Sequence, residues 1–403
     1  MNSVLIIGGT GIISSEVCNK AVDSGFDVTI LNRGKRREFI NSKAKIIVAD
    51  IFSKNTENLS HMIHDKEYDI IVDFLSYDVN QLKNKLALFK GKFKQYIYIS
   101  SATVYKEKCD SLPYVESDKI GNDLWDYADK KAKAEKYLVA ALGNEVPWTI
   151  IRPYITYGLT RIPYQFSPNE YYTIIHRIIN NKPLPIFENN NKCTLTNSKD
   201  FAVGAVGLFN NKFAFGEAVN ITSDCVLTWK DVALIIGRNL GKEVSLISLD
   251  KKDLNNNKLL GFDPAEIIGD KGRNMVFSNF KIKKLVPDFS GHVMFSDSIN
   301  ETISYYNSDS ARKKVNYVWD ARIDHLISKS IRNRIDDNGI HRSYFLQYSD
   351  KNRSFLRIIK YYLNRYDGLF FFLMTIRKML KFMKKVVSRT QNLISHNSGH
   401  KYQ

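Results

Sequence analysis

Over the first 160 residues, short apolar runs alternate with stretches of helical spacing. The runs are Val4–Gly9, Asp27–Asn32, Lys45–Ile51, Asp69–Leu75, Gln95–Ser101 and Trp148–Pro153. Sequences as continuous as Ile70-Ile71-Val72 and Tyr96-Ile97-Tyr98-Ile99 suit parallel strands covered on both faces, which have no polar side to show. Strands alternating with helices predict an α/β fold, a Rossmann-like doubly wound parallel sheet. From about Tyr154 the pattern becomes irregular. Glu170–Asn180 and Lys199–Asn210 have helical spacing, Thr228–Leu240 reads as a capped helix ended by Gly241, and Val244–Leu249 reads as a strand. Three regions are expected: an NAD(P)-binding domain over 1–160, its sheet open to completion by later segments; a smaller α/β substrate-binding region over 161–330; and a basic helical tail over 331–403.

In the tail, Leu369, Phe372, Leu373, Ile376, Met379, Leu380, Met383 and Val387 form one helical stripe flanked by Arg377, Lys378, Lys381, Lys384 and Lys385. The final dozen residues are polar and are expected to be disordered. Composition is otherwise ordinary, 44% hydrophobic and 25% charged, which excludes a disordered or low-complexity chain. The net charge of +17 is unevenly placed. From Ile331 onward there are 15 Lys/Arg against four Asp and no Glu, so +11 of the charge lies in the tail. A mildly basic body points away from nucleic acid as the main partner. The basic stripe at 369–387 predicts peripheral contact with an anionic membrane surface, or else packing on the body or in a homodimer. No run of about 18 apolar residues occurs, so no spanning helix is expected, and the start of the sequence leads one to expect no signal peptide. The cysteines, Cys18, Cys109, Cys193 and Cys225, are far apart and without metal-ligand spacing, so neither a disulfide framework nor a metal site is expected. The expected compartment is cytoplasmic, at the inner membrane face if the tail docks there.

Gly8-Gly9-Thr10-Gly11-Ile12-Ile13-Ser14 follows the first strand and opens a helix. Glycines there allow a tight turn and close approach to a pyrophosphate, and the helix N-terminus offers unpaired N–H groups. Gly8, Thr10, Gly11, Ile12 and Ile13 are the expected cofactor-binding residues. At the end of the second run, where an NAD site usually holds an acid, stand Asn32-Arg33-Gly34-Lys35-Arg36-Arg37. Cations without an acid suit a 2′-phosphate, so NADP is favoured over NAD. Asp50 is expected either to accept the adenine amino group or to cap the next segment. Ile51, Leu75 and Pro153, at the ends of their runs, are expected to bind the cofactor as well, together with Asn32, Arg33, Tyr127 and Lys131.

Strand five ends in Ser100-Ser101-Ala102-Thr103-Val104-Tyr105, with hydroxyls where ligands bind such sheets. Tyr127 and Lys131 are four residues apart and share one helical face. Of the 22 tyrosines this is the only one with Lys four residues later. A tyrosine near its ordinary pKa of about 10 is a poor base at neutral pH, and an ammonium and a nicotinamide cation both favour its phenolate. Tyr127 is therefore the expected acid–base group, Lys131 its cation, and Ser101 the hydrogen-bond partner of the reacting oxygen.

The chain resembles the extended short-chain dehydrogenase/reductases of the NAD-dependent epimerase/dehydratase group. The resemblance rests on Gly8–Ser14, Asp50-Ile51, Ser100–Tyr105, Tyr127 with Lys131, Arg152-Pro153, Tyr157-Gly158, Asn197–Ala202, Gly216–Ser223, Leu227-Thr228-Trp229 and Ser278–Lys283, over roughly residues 1–330. It departs at Ser14, Lys106 and Leu159-Thr160. Ser101–Tyr105 followed by Pro113–Ser117 looks like UDP-galactose 4-epimerases. The Asp-Glu pair of the 4,6-dehydratases is replaced by Ala102-Thr103. The resemblance implies an enzyme, a nucleotide-sugar epimerase or oxidoreductase acting at a sugar hydroxyl, with Thr103 and Arg161 at the substrate. Two alternatives stay open: an NADPH-dependent reductase of the same fold, and an RNA-binding member without activity.

Overall fold

The computed structural model describes residues 1–53, 57–63, 65–108, 111–187, 191–255, 262–334 and 363–397. Cys109 lies outside them. Six strands come from the first 153 residues: β1 (Ser3–Ile7), β2 (Asp27–Asn32), β3 (Lys45–Val48), β4 (Tyr68–Asp73), β5 (Phe93–Ile99) and β6 (Trp148–Pro153). A seventh strand, Glu217–Ile221, returns to pair with β6. From that edge the order is Glu217–Ile221, β6, β5, β4, β1, β2, β3, and every pair is parallel. The order reverses beside β1, and in a doubly wound sheet the ligand crevice opens outside the strand ends at that point.

Period-two alternation splits each strand between two cores. Val4, Ile6, Val28, Ile30, Ile70 and Val72 pack under α1 (Ile12–Asp23) and the helix Ser198–Gly207. Leu5, Ile7, Leu31, Ile71, Tyr96 and Tyr98 pack on the other face, with α2 (Glu57–Ile63), α3 (Val79–Leu88) and α4 (Asp126–Leu142). Where both faces are buried, as along β1 and β4, a strand cannot show polar alternation, which is why those runs are continuous; the edge strand β3 exposes Lys45 and Val48.

The expected strands are all present, but several end early. β3 stops at Val48, so Asp50 sits in a turn, where its Oδ1 accepts the Phe52 N–H at 3.0 Å. That local bond is one of the two roles expected for Asp50, which also lines the cavity described below. The capped helix is Trp229–Asn239, where Thr228 and Asp231 each accept the other's backbone N–H. Gly241 follows it with φ +61°. The other expected helices appear as Tyr172–Ile179 and Ser198–Gly207, and the strand as Leu246–Leu249.

The chain divides into two compact units, Met1–Ser248 with Pro264–Lys314, and Leu249–Asp263 with Val315–Gln403. In the second, the helix Asp367–Asn397 is fixed at its start to the helix Tyr317–Arg334. Arg322 Nη2 lies 2.6 Å from Asp367 Oδ1, and its guanidinium sits 4.7 Å from the Phe370 ring centroid. The helix corrects the expectation for the final dozen residues, whose first half is helical. From Leu369 to Asn397 the chain contains neither Pro nor Gly to stop it. Residues 398–403 lie outside the described part. No described helix is long and apolar enough to cross a membrane.

Candidate active site

At the carboxyl edge of the sheet lies a cavity of about 890 Å³. Its lining includes Gly8, Thr10, Gly11, Ile12, Ile13, Asn32, Arg33, Asp50, Ile51, Leu75, Ser101, Thr103, Tyr127, Lys131, Pro153 and Arg161, so the residues singled out in the sequence converge on one place.

The glycine loop leaves β1 with φ +117° at Gly8 and +75° at Gly9, backbone that side chains rarely adopt. A Cβ on Gly9 would lie 2.4 Å from Ile30 Cγ2. Gly11 caps α1, and its N–H donates to Ser14 Oγ at 2.8 Å. Ser14, standing where a third glycine is usual, thus closes the helix start rather than opening space there. The first turn of α1 carries no acid, which leaves the positive end of the helix unneutralised. At the end of β2, Asn32 Oδ1 accepts the Gly34 N–H at 2.6 Å, while Asn32 Nδ2 is buried without a partner. Arg33, Lys35 and Arg36 line the cavity beside it. A close glycine cradle, a helix start with no acid to neutralise it, an orphaned donor and flanking cations fit a dinucleotide.

At the other end, Ser101 caps a short turn, Ala102–Val104. Thr103 donates to Ser101 Oγ twice, from its N–H at 3.3 Å and its hydroxyl at 2.9 Å. The Ser101 hydrogen is thereby left to donate outward, and a hydrogen bond with Ser101 lowers the Tyr127 pKa. Burial outweighs that effect. With Tyr77 and Asp270 acting in the same direction, and Arg161 opposing, the phenol is pushed up to about 12. Lys131 is buried among Tyr77 and Tyr98, with Nζ 5.1 and 4.8 Å from their ring centroids. It donates to the carbonyls of Ser76 at 2.7 Å and Ile99 at 2.8 Å. Burial brings its ammonium down to about 7, with Lys85 adding to the fall and Asp73 and Glu135 opposing it. Taken alone, the protein therefore holds Tyr127 as a phenol.

Beneath Lys131 lies a buried polar network. Asp73 Oδ1 accepts the N–H groups of Leu75 at 2.8 Å and Ser76 at 3.1 Å. Its Oδ2 accepts the hydroxyls of Ser76 at 2.5 Å and Tyr96 at 2.8 Å. Lys85 Nζ donates to Ser76 Oγ at 2.8 Å and lies 3.3 Å from Asp73 Oδ1.

Some motifs hold the scaffold. Arg152 pairs with Glu135 at 2.6 Å and donates to the Tyr105 hydroxyl at 2.9 Å, all three buried. Asn279 ties Thr222 to Asp224 behind the last strand. Tyr77, Trp125, Glu266, Asp270 and Lys271 also line the cavity without having been singled out in the sequence. Asp270 and Lys271 sit on a single helical turn, Ile267–Lys271, more than 100 residues after the last candidate, where no periodicity or motif marks them.

The profile described as the NAD dependent epimerase/dehydratase family matches residues 4–222. The chain belongs to this family, and so to the NAD-dependent enzymes of the epimerase and oxidoreductase type, as its motifs led one to expect. A UDP-glucose 4-epimerase from Klebsiella pneumoniae is 31% identical over 140 residues, 28% of this chain and 99% of that sequence. Another from Neisseria gonorrhoeae is 24% identical over 37% of this chain and 51% of its own length, so the match spans only about half of it. Among solved structures, an epimerase from Methanothermobacter thermautotrophicus superposes with TM-score 0.63 at 18% identity, over 77% of this chain and 94% of the other. The UDP-glucuronic acid 4-epimerase from Bacillus cereus, solved with NAD, gives 0.59 at 20% identity, over 76% and 99%. At these identities the likeness is one of fold.

Proposed function

We propose that the protein is a nucleotide-sugar epimerase or oxidoreductase acting at a sugar hydroxyl, with Ser101, Tyr127 and Lys131 as its catalytic residues. The observation that carries this reading is the presence of all three in the cavity that the glycine loop also lines. Bound NAD(P) would accept hydride from the sugar carbon and, in an epimerase, return it. Tyr127 takes the hydroxyl proton at Oη as the sugar is oxidised and gives it back on reduction. Thr103 orients Ser101 through two donated bonds, and Ser101 holds the reacting oxygen. Bringing a phenol from about 12 to near neutrality requires on the order of 7 kcal/mol. That is more than one hydrogen bond supplies, so the Lys131 ammonium and the positive nicotinamide ring are both needed. Arg161, over the Tyr171 ring at 5.7 Å, is suited to the substrate diphosphate.

For the cofactor, Arg33, Lys35 and Arg36 at the end of β2 support a preference for NADP over NAD, since a 2′-phosphate would meet cations there. The tail helix supports a further element of the reading, peripheral attachment to the inner face of a membrane.

Nucleotide released from the denatured protein, identified by mass spectrometry, is expected to be NAD(H) or NADP(H). In Tyr127→Phe, interconversion of UDP-glucose and UDP-galactose is expected to fall by a factor on the order of 100 or more with cofactor still bound. An unchanged rate removes Tyr127 from the mechanism.

A further inference from the structure

Asp270 lines the cavity, yet the proton and hydride steps leave it unused. It lies on the π-helical turn Ile267–Lys271, a geometry frequent at functional sites. The turn is fixed from several sides. Asn122 Nδ2 donates to the carbonyls of Gly269 at 2.8 Å and Thr103 at 2.9 Å, tying the turn to the loop that carries Ser101. Gln165 Nε2 and Trp229 Nε1 donate to the Lys271 carbonyl at 2.9 and 2.8 Å. A Cβ on Gly269 would lie 2.9 Å from Trp125 Cβ, so the turn also packs closely on the start of α4.

On this rigid support the Asp270 side chain is only 3% exposed, and its Oδ1 has no well-formed hydrogen bond. The Tyr154 hydroxyl beside it interacts with the carboxyl, but neither that hydroxyl nor Oδ1 completes a hydrogen bond of good geometry. The adjacent cation, Lys271, is paired with Glu266 at 2.5 Å. In the same cavity Arg161 Nε is also buried without a partner. A buried acceptor met this poorly is costly, and a turn held this firmly cannot move to improve the contact. A ligand hydroxyl in the cavity would supply a better one.

We propose that Asp270 contacts the substrate and sets its specificity: its carboxyl pairs with a hydroxyl of the sugar ring, so the protein favours uncharged hexoses over sugars that carry a carboxylate. The inference rests on the nucleotide-sugar reading and adds the class of sugar. Charge gives it a pH signature. Burial and Glu266 push Asp270 up to about 7, while Lys271, Tyr154 and Arg273 oppose them. Tyr127 and Cys193 face the same carboxyl and feel its charge. As an acid, Asp270 donates to a sugar oxygen; as an anion, it accepts from a sugar hydroxyl. Both forms suit a hydroxyl, but the anion repels a carboxylate, so discrimination grows as pH rises through 7.

The test is calorimetric binding of UDP, UDP-glucose, UDP-galactose and UDP-glucuronic acid to the full-length protein and its Asp270→Asn and Asp270→Ala variants, at pH 6 and pH 8. The wild type is expected to prefer the hexoses over the glucuronic acid by about tenfold or more at pH 8, and by less at pH 6. Asp270→Asn is expected to flatten this pH dependence and bring the preference within about threefold. Asp270→Ala is expected to weaken hexose binding by about tenfold while UDP alone binds as before. If Asp270→Ala does not fold, the nearly isosteric Asn variant decides. A wild type that prefers UDP-glucuronic acid at pH 8, or an Asn variant that keeps both preference and pH dependence, overturns the proposal and leaves the nucleotide-sugar reading intact. A wild type that binds neither UDP nor any UDP-sugar overturns both.

Discussion

At single residues, function and stability pull in opposite directions. The Asp270 carboxyl has a folded pKa of about 7 against an ordinary 3.8, so the folded state holds its proton more tightly than the unfolded chain does. Its effect on stability is absent below about pH 4. As pH rises from there to about 7 it becomes an increasing penalty, reaching about 4 kcal/mol. Asp270→Asn removes the titration. That variant is expected to gain stability over the wild type at pH 8 by several times its gain at pH 4, measured by urea unfolding at the two pH values; equal differences would mean the carboxyl does not titrate as described. The residues differ in how readable they are. Tyr127 and Lys131 are marked by a four-residue interval on a helix, and Ser101 by its place after an apolar run. Asp270 reaches the cavity through tertiary packing of the turn on Asn122, Gln165 and Trp229, and no local spacing encodes such packing.

At the scale of elements, β4, α3 and α4 meet through the buried Asp73, Ser76 and Lys85, and this junction carries the Ser76 carbonyl, one of the two that Lys131 uses. Removing one partner of a buried pair strands the other charge, which costs roughly 3–5 kcal/mol. Lys85→Met is therefore expected to destabilise the protein by about that amount. A Lys85→Met/Asp73→Asn double variant should recover more than half of the loss in the same urea titration. A double variant no more stable than the single one would show that Asp73 is not left stranded. The strands were legible because both faces of the sheet are buried, which makes each run continuously apolar. Their carboxyl ends were not, because Ile51 and Leu75 extend the apolar runs past the strands to line the crevice. Lys85 was equally hidden, since on a helix of mixed composition a buried lysine reads like an exposed one.

Across the whole molecule the two ends of the chain carry different physics. The body is mildly basic, while the tail holds +11 of the +17 charge. Between Gly368 and Asn397 its long helix has Arg377, Lys378, Lys381, Lys384, Lys385 and Arg389 and no acid. Phe371, Phe372, Met379, Leu380, Phe382 and Met383 on this helix are each more than half exposed. Seating such side chains among acyl chains is worth about 1.5–3 kcal/mol for each one fully buried, and each cation near an anionic surface adds about 1 kcal/mol. On the proposed reading, these contributions together would hold the helix reversibly in the interface. Full-length protein is expected to co-sediment with vesicles containing phosphatidylserine but not with vesicles of phosphatidylcholine alone. Raising salt from 50 to 500 mM should release most of it, because the electrostatic part is screened. Leu380→Glu/Met383→Glu should abolish sedimentation while NAD binding is unchanged, since both residues lie outside the unit that holds the cavity. If the protein ignores anionic vesicles and instead sediments as a dimer that the same two substitutions dissociate, the apolar stripe is an interface between copies, and the membrane reading fails.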